Sequence, residues 1–151
     1  MITRMYKLVV IALLLIPSFA QADDLIMRRI AVDFPETMTT LQASVIAQGY
    51  RVSRVQRVDI GLTSSGYDTA EYRLVFMARP DQMDLIETKH PDLIPFVPLK
   101  ITIFAEGNET ILVTLNPLKF NEFFPDEGLG DLFAQWEKDI VEIFDRVQSE
   151  Q

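Results

Sequence analysis

The chain of 151 residues contains no cysteine and only one histidine. Without cysteine there can be no disulfide, no Cys-based zinc site, no thiol catalysis and no lipid anchor on a mature N-terminal Cys. His90 is left as the only imidazole able to act as a general base or metal ligand. A glycine-rich phosphate loop is missing too: Thr63-Ser64-Ser65-Gly66 is not followed by the Lys-Ser/Thr of a P-loop. Ser64 and Ser65 have no nucleophile elbow around them. Basic residues are scarce, 14 against 22 acidic, for a net charge of −8. Phosphate backbones are bound by a basic footprint, so no nucleic-acid partner is expected. The acidic excess reads as a solvated surface, with attraction of a basic partner or a cation as the alternative. No motif in the chain names an activity.

What is present starts at the N-terminus. Arg4 and Lys7 precede an apolar run from Leu8 to Phe19, interrupted by Pro17 and Ser18, and Ala20-Gln21-Ala22 has the small-x-small pattern of a signal-peptidase site. The run falls short of the ~20 apolar residues that span a bilayer as a helix. Residues 1–22 therefore read as a cleaved secretory signal peptide, with Asp23 as the first mature residue and a periplasmic destination. No stable membrane anchor is expected after processing. Residues 23–151 have the length of one domain, with enough chain to bury a core without disulfides.

Along the mature chain, short elements alternate. Ile26 to Asp33 reads as a strand. Asp33 and Glu36 have capping-box spacing, Pro35 suits a first helical turn, and Met38, Leu41 and Val45 line one face of a helix that Gly49 is placed to stop. From Tyr50 to Ile60 the period becomes two, with Val55 out of phase, which predicts a bulged strand or two short ones. Gly61 to Ala70 reads as a loop. Glu71 to Arg79 is an alternating strand ended by Pro80, and Asp81 to Lys89 a short helix closed by His90-Pro91. Asp92 to Pro98 reads as a fixed crossover rather than an element. Leu99 to Ala105 and Thr110 to Leu115 form a hairpin about Gly107-Asn108, terminated by Asn116-Pro117. A C-terminal amphipathic helix over about 131–148 carries Leu132, Phe133, Trp136, Ile140, Ile143, Phe144 and Val147 in its apolar stripe, with Glu142 one turn before Arg146. The order predicts an α+β fold: two layers, a mainly antiparallel sheet with helices packed on one face.

Several segments in this order carry a resemblance. They are Gly49-Tyr50 at the end of the first helix, Phe76-Met77-Ala78-Arg79-Pro80, His90-Pro91-Asp92-Leu93, and Phe96-Val97-Pro98-Leu99-Lys100-Ile101-Thr102-Ile103-Phe104 leading to Asn116-Pro117. With them the chain resembles the bacterial and archaeal domain of unknown function 302 (DUF302) over roughly Ile30 to Phe120. The resemblance implies a TT1751-like two-layer fold and a tendency to dimerise, and no reaction. Arg79 stands where such domains commonly have Asn or a small residue.

Candidate sites are few. His90 with Glu87 is a poor metal or catalytic site, because zinc takes three or four protein ligands. The bland reading of His90, a helix-terminal residue near the last carbonyls, is preferred. Asp81, Asp84 and Glu87 recur every third residue and could gather a hard cation, but an exposed acidic helix face explains them more simply. The scattered methionines read as core packing. No cofactor and no metal site is expected.

The more informative feature is the sheet face turned away from the helices. Alternation suggests Leu74, Phe76, Ile101, Ile103, Ile111 and Val113 toward the helices, and Arg73, Val75, Met77, Arg79, Thr102, Phe104, Leu112 and Thr114 on the open side. A half-apolar open face with two arginines fits a homodimer interface or a surface for a small anionic ligand or protein partner. Arg73, Arg79, Phe104 and Asn116 are the residues assigned to binding. The expected function is an exported, non-catalytic binding or accessory module working through that face. The alternatives are an enzyme centred on His90 and nearby carboxylates, and an acidic adaptor in a larger exported complex.

Overall fold

Strands β1 (Leu25–Ile30), β2 (Arg51–Arg57), β3 (Tyr72–Ala78), β4 (Leu99–Glu106) and β5 (Glu109–Leu115) form one sheet in the order β1-β5-β4-β3-β2, with every neighbouring pair antiparallel. Helices α1 (Phe34–Ala47), α2 (Val58–Ser64), α3 (Pro80–Lys89) and α4 (Gly130–Ser149) accompany it, with 3-10 helices over Pro91–Phe96 and Pro117–Glu122. The computed structural model describes residues 24–125 and 128–150. The signal peptide expected over 1–22 lies outside them.

Local chemistry accounts for most of these boundaries. The Asp33 carboxylate accepts a hydrogen bond from the Glu36 N–H at 3.2 Å, and Pro35 lies in the first turn of α1. Gly49, at φ +88°, turns the chain out of that helix into β2. Of the two readings open for this stretch the bulge is the one present, as a register shift between Val52 and Arg54. Gly107, at φ +62°, makes the β4–β5 connection. Strand β1 ends at Ile30, earlier than the pattern suggested.

The core lies between the sheet and α1 and α4. It combines Ile26, Ile30, Val75, Met77, Leu99, Ile101, Ile103 and Leu112 from the strands with Leu41, Val45, Phe133, Trp136, Ile140, Ile143, Phe144 and Val147 from the helices. The two-layer α+β arrangement with helices on one face is the one expected.

Four local readings are corrected. Val58 and Ile60 are not in a strand: Val58–Ser64 folds as α2, inside what was read as strand and loop. The segment Asp92 to Pro98, read as a crossover without an element, is largely taken up by the 3-10 turn Pro91–Phe96. Arg146 and Glu142 are joined through Gln48 rather than directly: the Arg146 guanidinium donates to Ser44 O and Gln48 Oε1, both at 3.1 Å, while Gln48 Nε2 donates to Glu142 at 2.7 Å, which ties α4 to α1.

The fourth correction is the largest. Strands β3 and β5 present the opposite parity to the one expected. Val75 pairs with Ile101 and Ile103 with Leu112, so Arg73, Val75, Met77, Leu112 and Thr114 share the helix-covered side with Ile101 and Ile103. Leu74, Phe76, Ile111 and Val113 lie on the open side with Thr102 and Phe104. Adjacent strands must place paired residues on one face. Both parities of β3 and β5 are apolar, so only the pairing decides between them.

Candidate functional site

The open face is built by alternate residues of all five strands. Tyr72, Leu74 and Phe76 come from β3, Lys100, Thr102 and Phe104 from β4, Ile111 and Val113 from β5, and Leu25 and Met27 from β1; Arg54 and Gln56 of β2 flank them. Helices α1, α2 and α4 contact the other side, where Arg73 lies over the Phe34 ring at 5.4 Å and Met77 is fully buried. Ile111 is buried by its strand neighbours, Leu74, Phe76, Phe104 and Val113 are half-buried, and Met27 is 52 % exposed. A shallow depression of about 330 Å³ lies at the Phe104 end, lined by Thr69 to Tyr72, Thr102, Phe104 and Ala105.

Of the four residues assigned to binding, only Phe104 is on this face. Arg73 is 9 % exposed on the helix side and forms an ion pair with Asp59 of α2. Burial would by itself push the Asp59 carboxyl up, but hydrogen bonds from Arg73 and the Ile60 N–H, with the nearby Arg73 and Arg57 charges, hold it below the usual carboxylate range. Arg79 is the N-cap residue of α3, over the Tyr50 ring at 5.9 Å and 3.5 Å from Asp81. Asn116 is buried and caps the second 3-10 helix, its Oδ1 accepting from the Leu118 N–H at 3.0 Å. The four residues are therefore not brought together.

His90 sits at the junction of α3 and the first 3-10 helix. Its N–H donates to Ile86 O and its carbonyl accepts from the Leu93 N–H, each at 2.9 Å. Asp81, Asp84 and Glu87 are exposed. Among the described residues no group of three or more His, Cys, Asp or Glu is placed to hold a metal ion. The Ser64 and Ser65 hydroxyls donate to Gly61 O at 2.8 and 3.0 Å, an internal role at the end of α2.

A buried polar cluster escaped the sequence reading. Asp139, 2 % exposed on α4, accepts hydrogen bonds from Tyr50 Oη at 2.7 Å, Gln135 Nε2 at 2.8 Å and Gln48 Nε2 at 3.0 Å. The signal was present: Asp139 is the one charged position inside the apolar stripe, three residues after Trp136. Trp136 itself is buried as expected and donates from Nε1 to Gln82 Oε1 at 2.8 Å.

An all-antiparallel five-stranded sheet with helices on one face and an apolar open face on the other defines the class, a two-layer α+β domain. More narrowly, the chain belongs to the family described as domain of unknown function DUF302, whose model matches residues 26–147. It is also similar to a solved structure, an uncharacterized conserved DUF302 protein from Bacillus stearothermophilus, with a TM-score of 0.76 at 20 % identity. That match covers 83 % of this chain and 99 % of the other. At that identity the likeness speaks for the fold. No curated protein matches the chain.

Proposed function

We propose that this protein is an exported, non-catalytic binding or accessory module that acts through its open sheet face, and that a second copy of the chain occupies that face in a homodimer. The observation that carries the reading is which parity of β3 is left uncovered. Tyr72, Leu74 and Phe76 are open, while the arginine-bearing parity of the same strand lies under the helices. A monomer would have the opposite preference, since large apolar patches are seldom left in water. A two-fold arrangement lets one patch meet its own copy. The N-terminal signal pattern supports export.

Light scattering on the mature protein at tens of micromolar tests this. The expected mass is that of a dimer, with Phe104→Glu monomeric because its carboxylate would be desolvated without a partner. A monomeric wild-type protein overturns the self-association reading.

A further inference from the structure

The Pro-rich crossover from α3 to β4 does not collapse onto the sheet. Together with the start of β4, the end of β5 and the second 3-10 helix it borders an open cavity of about 380 Å³, walled chiefly by Phe76, Phe96, Leu115, Phe120 and Ile140, with Lys100 among the lining residues. Small-molecule sites typically measure ~300–1,000 Å³. The walls are held apart by rigid parts. Phe96 packs edge-on against Phe120 at 5.6 Å and Phe124 at 5.5 Å, and Phe120 packs edge-on against Phe133 of the core at 5.5 Å. Pro95 and Pro98, also in the wall, fix the backbone around Phe96.

Its polar side chains are two, Thr114 and Lys100. The Thr114 hydroxyl is committed to Lys100 O at 2.7 Å, so it has no proton left to donate into the cavity. The Lys100 ammonium remains. Arg28, Arg29, Lys119 and Lys138 each face a carboxylate; Lys100, like Arg51, Arg54, Arg57 and Lys89, forms none of the ion pairs found among the described residues, and it stands exposed at the rim as the one cation lining this cavity. A lone cation on an aromatic wall selects an anion with an apolar, flat body.

We propose that this cavity binds a small aromatic carboxylic acid, its ring against Phe96 and Phe120 and its carboxylate on the Lys100 ammonium. The site supplies the anionic ligand class expected from the sequence with a different residue from Arg73 and Arg79. Phe76 and Lys100 belong to the open face as well, so the titrations are repeated on Phe104→Glu, the variant expected to leave that face uncovered.

The test is calorimetric titration of the mature protein with phenylacetate and indole-3-acetate, and with their neutral amides, alongside light scattering. The acids are expected to bind about tenfold or more tightly than the amides, the effect of one charge-assisted contact. Lys100→Met should reduce the acids to the level of the amides, while Lys100→Arg keeps the preference and controls for folding. Leu115→Trp, which fills the cavity, should weaken acid and amide alike. No binding of either acid at millimolar concentration, equal affinity for acid and amide, or a preference that survives Lys100→Met each overturns the proposal. A wild-type monomer that binds the acids refutes the dimer and leaves this site standing; acids bound by neither the wild type nor Phe104→Glu refute the site alone.

Discussion

Tyr50 and Asp139 meet across 2.7 Å, phenol to carboxylate, where the start of β2 passes under α4. Tyr50 follows the glycine that ends α1, so this bond locks the α1–β2 turn to the C-terminal helix. A buried carboxylate is tolerated there because three donors replace its water.

Burial first, and then the hydrogen bond to Asp139, push the Tyr50 phenol well above its ordinary value near 10. A folded-state value above the unfolded one means a contribution that is complete below about pH 10 and declines as pH rises beyond it. Thermal melts between about pH 9 and 12 should show a steeper loss for wild type than for Tyr50→Phe. At neutral pH that variant should lose ~1.5–3 kcal/mol, the worth of a hydrogen bond to a charged group. Identical alkaline slopes would refute the assignment.

The Arg73–Asp59 pair should dominate the acid limb. The depressed Asp59 value stabilises the fold above about pH 4 and the effect fades as pH falls through the folded-state value. Asp59→Asn should cost ~3–5 kcal/mol near neutrality, because it leaves the Arg73 guanidinium buried without a counter-charge. Urea unfolding at about pH 7 and pH 3 should show the deficit shrinking at the lower pH. A deficit that persists unchanged would mean the loss is steric.

Trp136 is 2 % exposed, tilted against Phe133 at 5.7 Å and edge-on to Phe120 at 6.2 Å. Truncation to Ala should cost ~3–5 kcal/mol. Trp136→Phe should cost less, keeping much of the ring contact and losing the bond to Gln82. A Trp136→Ala protein with wild-type denaturant midpoint would show that α4 is not docked through this side chain.

Export should leave Asp23 at the N-terminus. Intact mass spectrometry of the protein recovered from the periplasm checks this directly, and a full-length, membrane-retained chain is the outcome that refutes it.

Helix α1, the β4–β5 hairpin and α4 were legible because each has its own local signals: the Asp33 cap, Gly49, Gly107, and a continuous apolar stripe. The sheet faces were not. In β3, Tyr72, Leu74 and Phe76 alternate with Arg73, Val75 and Met77, and period two cannot tell which set is covered when both are apolar. Arginine biased the reading toward exposure, yet Arg73 is buried because α2 brings Asp59 to it. That helix in turn carried no signal, with no side-chain cap and Gly61 in its middle. Of the candidate binding residues only Phe104 lay in a strand whose parity was read correctly. Lys100 and Phe96 stood out only as part of the run that carries the family resemblance, because their meeting at one cavity comes from a chain crossing at the sheet end, which sequence spacing does not encode.

The position of β1 has a consequence for how the molecule is made. Strands β2 to β5 are neighbours both in sequence and in the sheet, so they can assemble by successive local closures, whereas Leu25 must wait for Leu115. In a chain delivered N-terminus first, the earliest strand is thus the last to find its partner. During that interval the apolar Leu25-Ile26-Met27 is followed by Arg28 and Arg29, charges of the kind that restrain a strand from pairing with the wrong chain. In the finished fold the same arginines are taken up by Asp145 of α4 and Glu109 of β5, two elements from the far end of the polypeptide. The safeguard of the waiting strand becomes its final attachment.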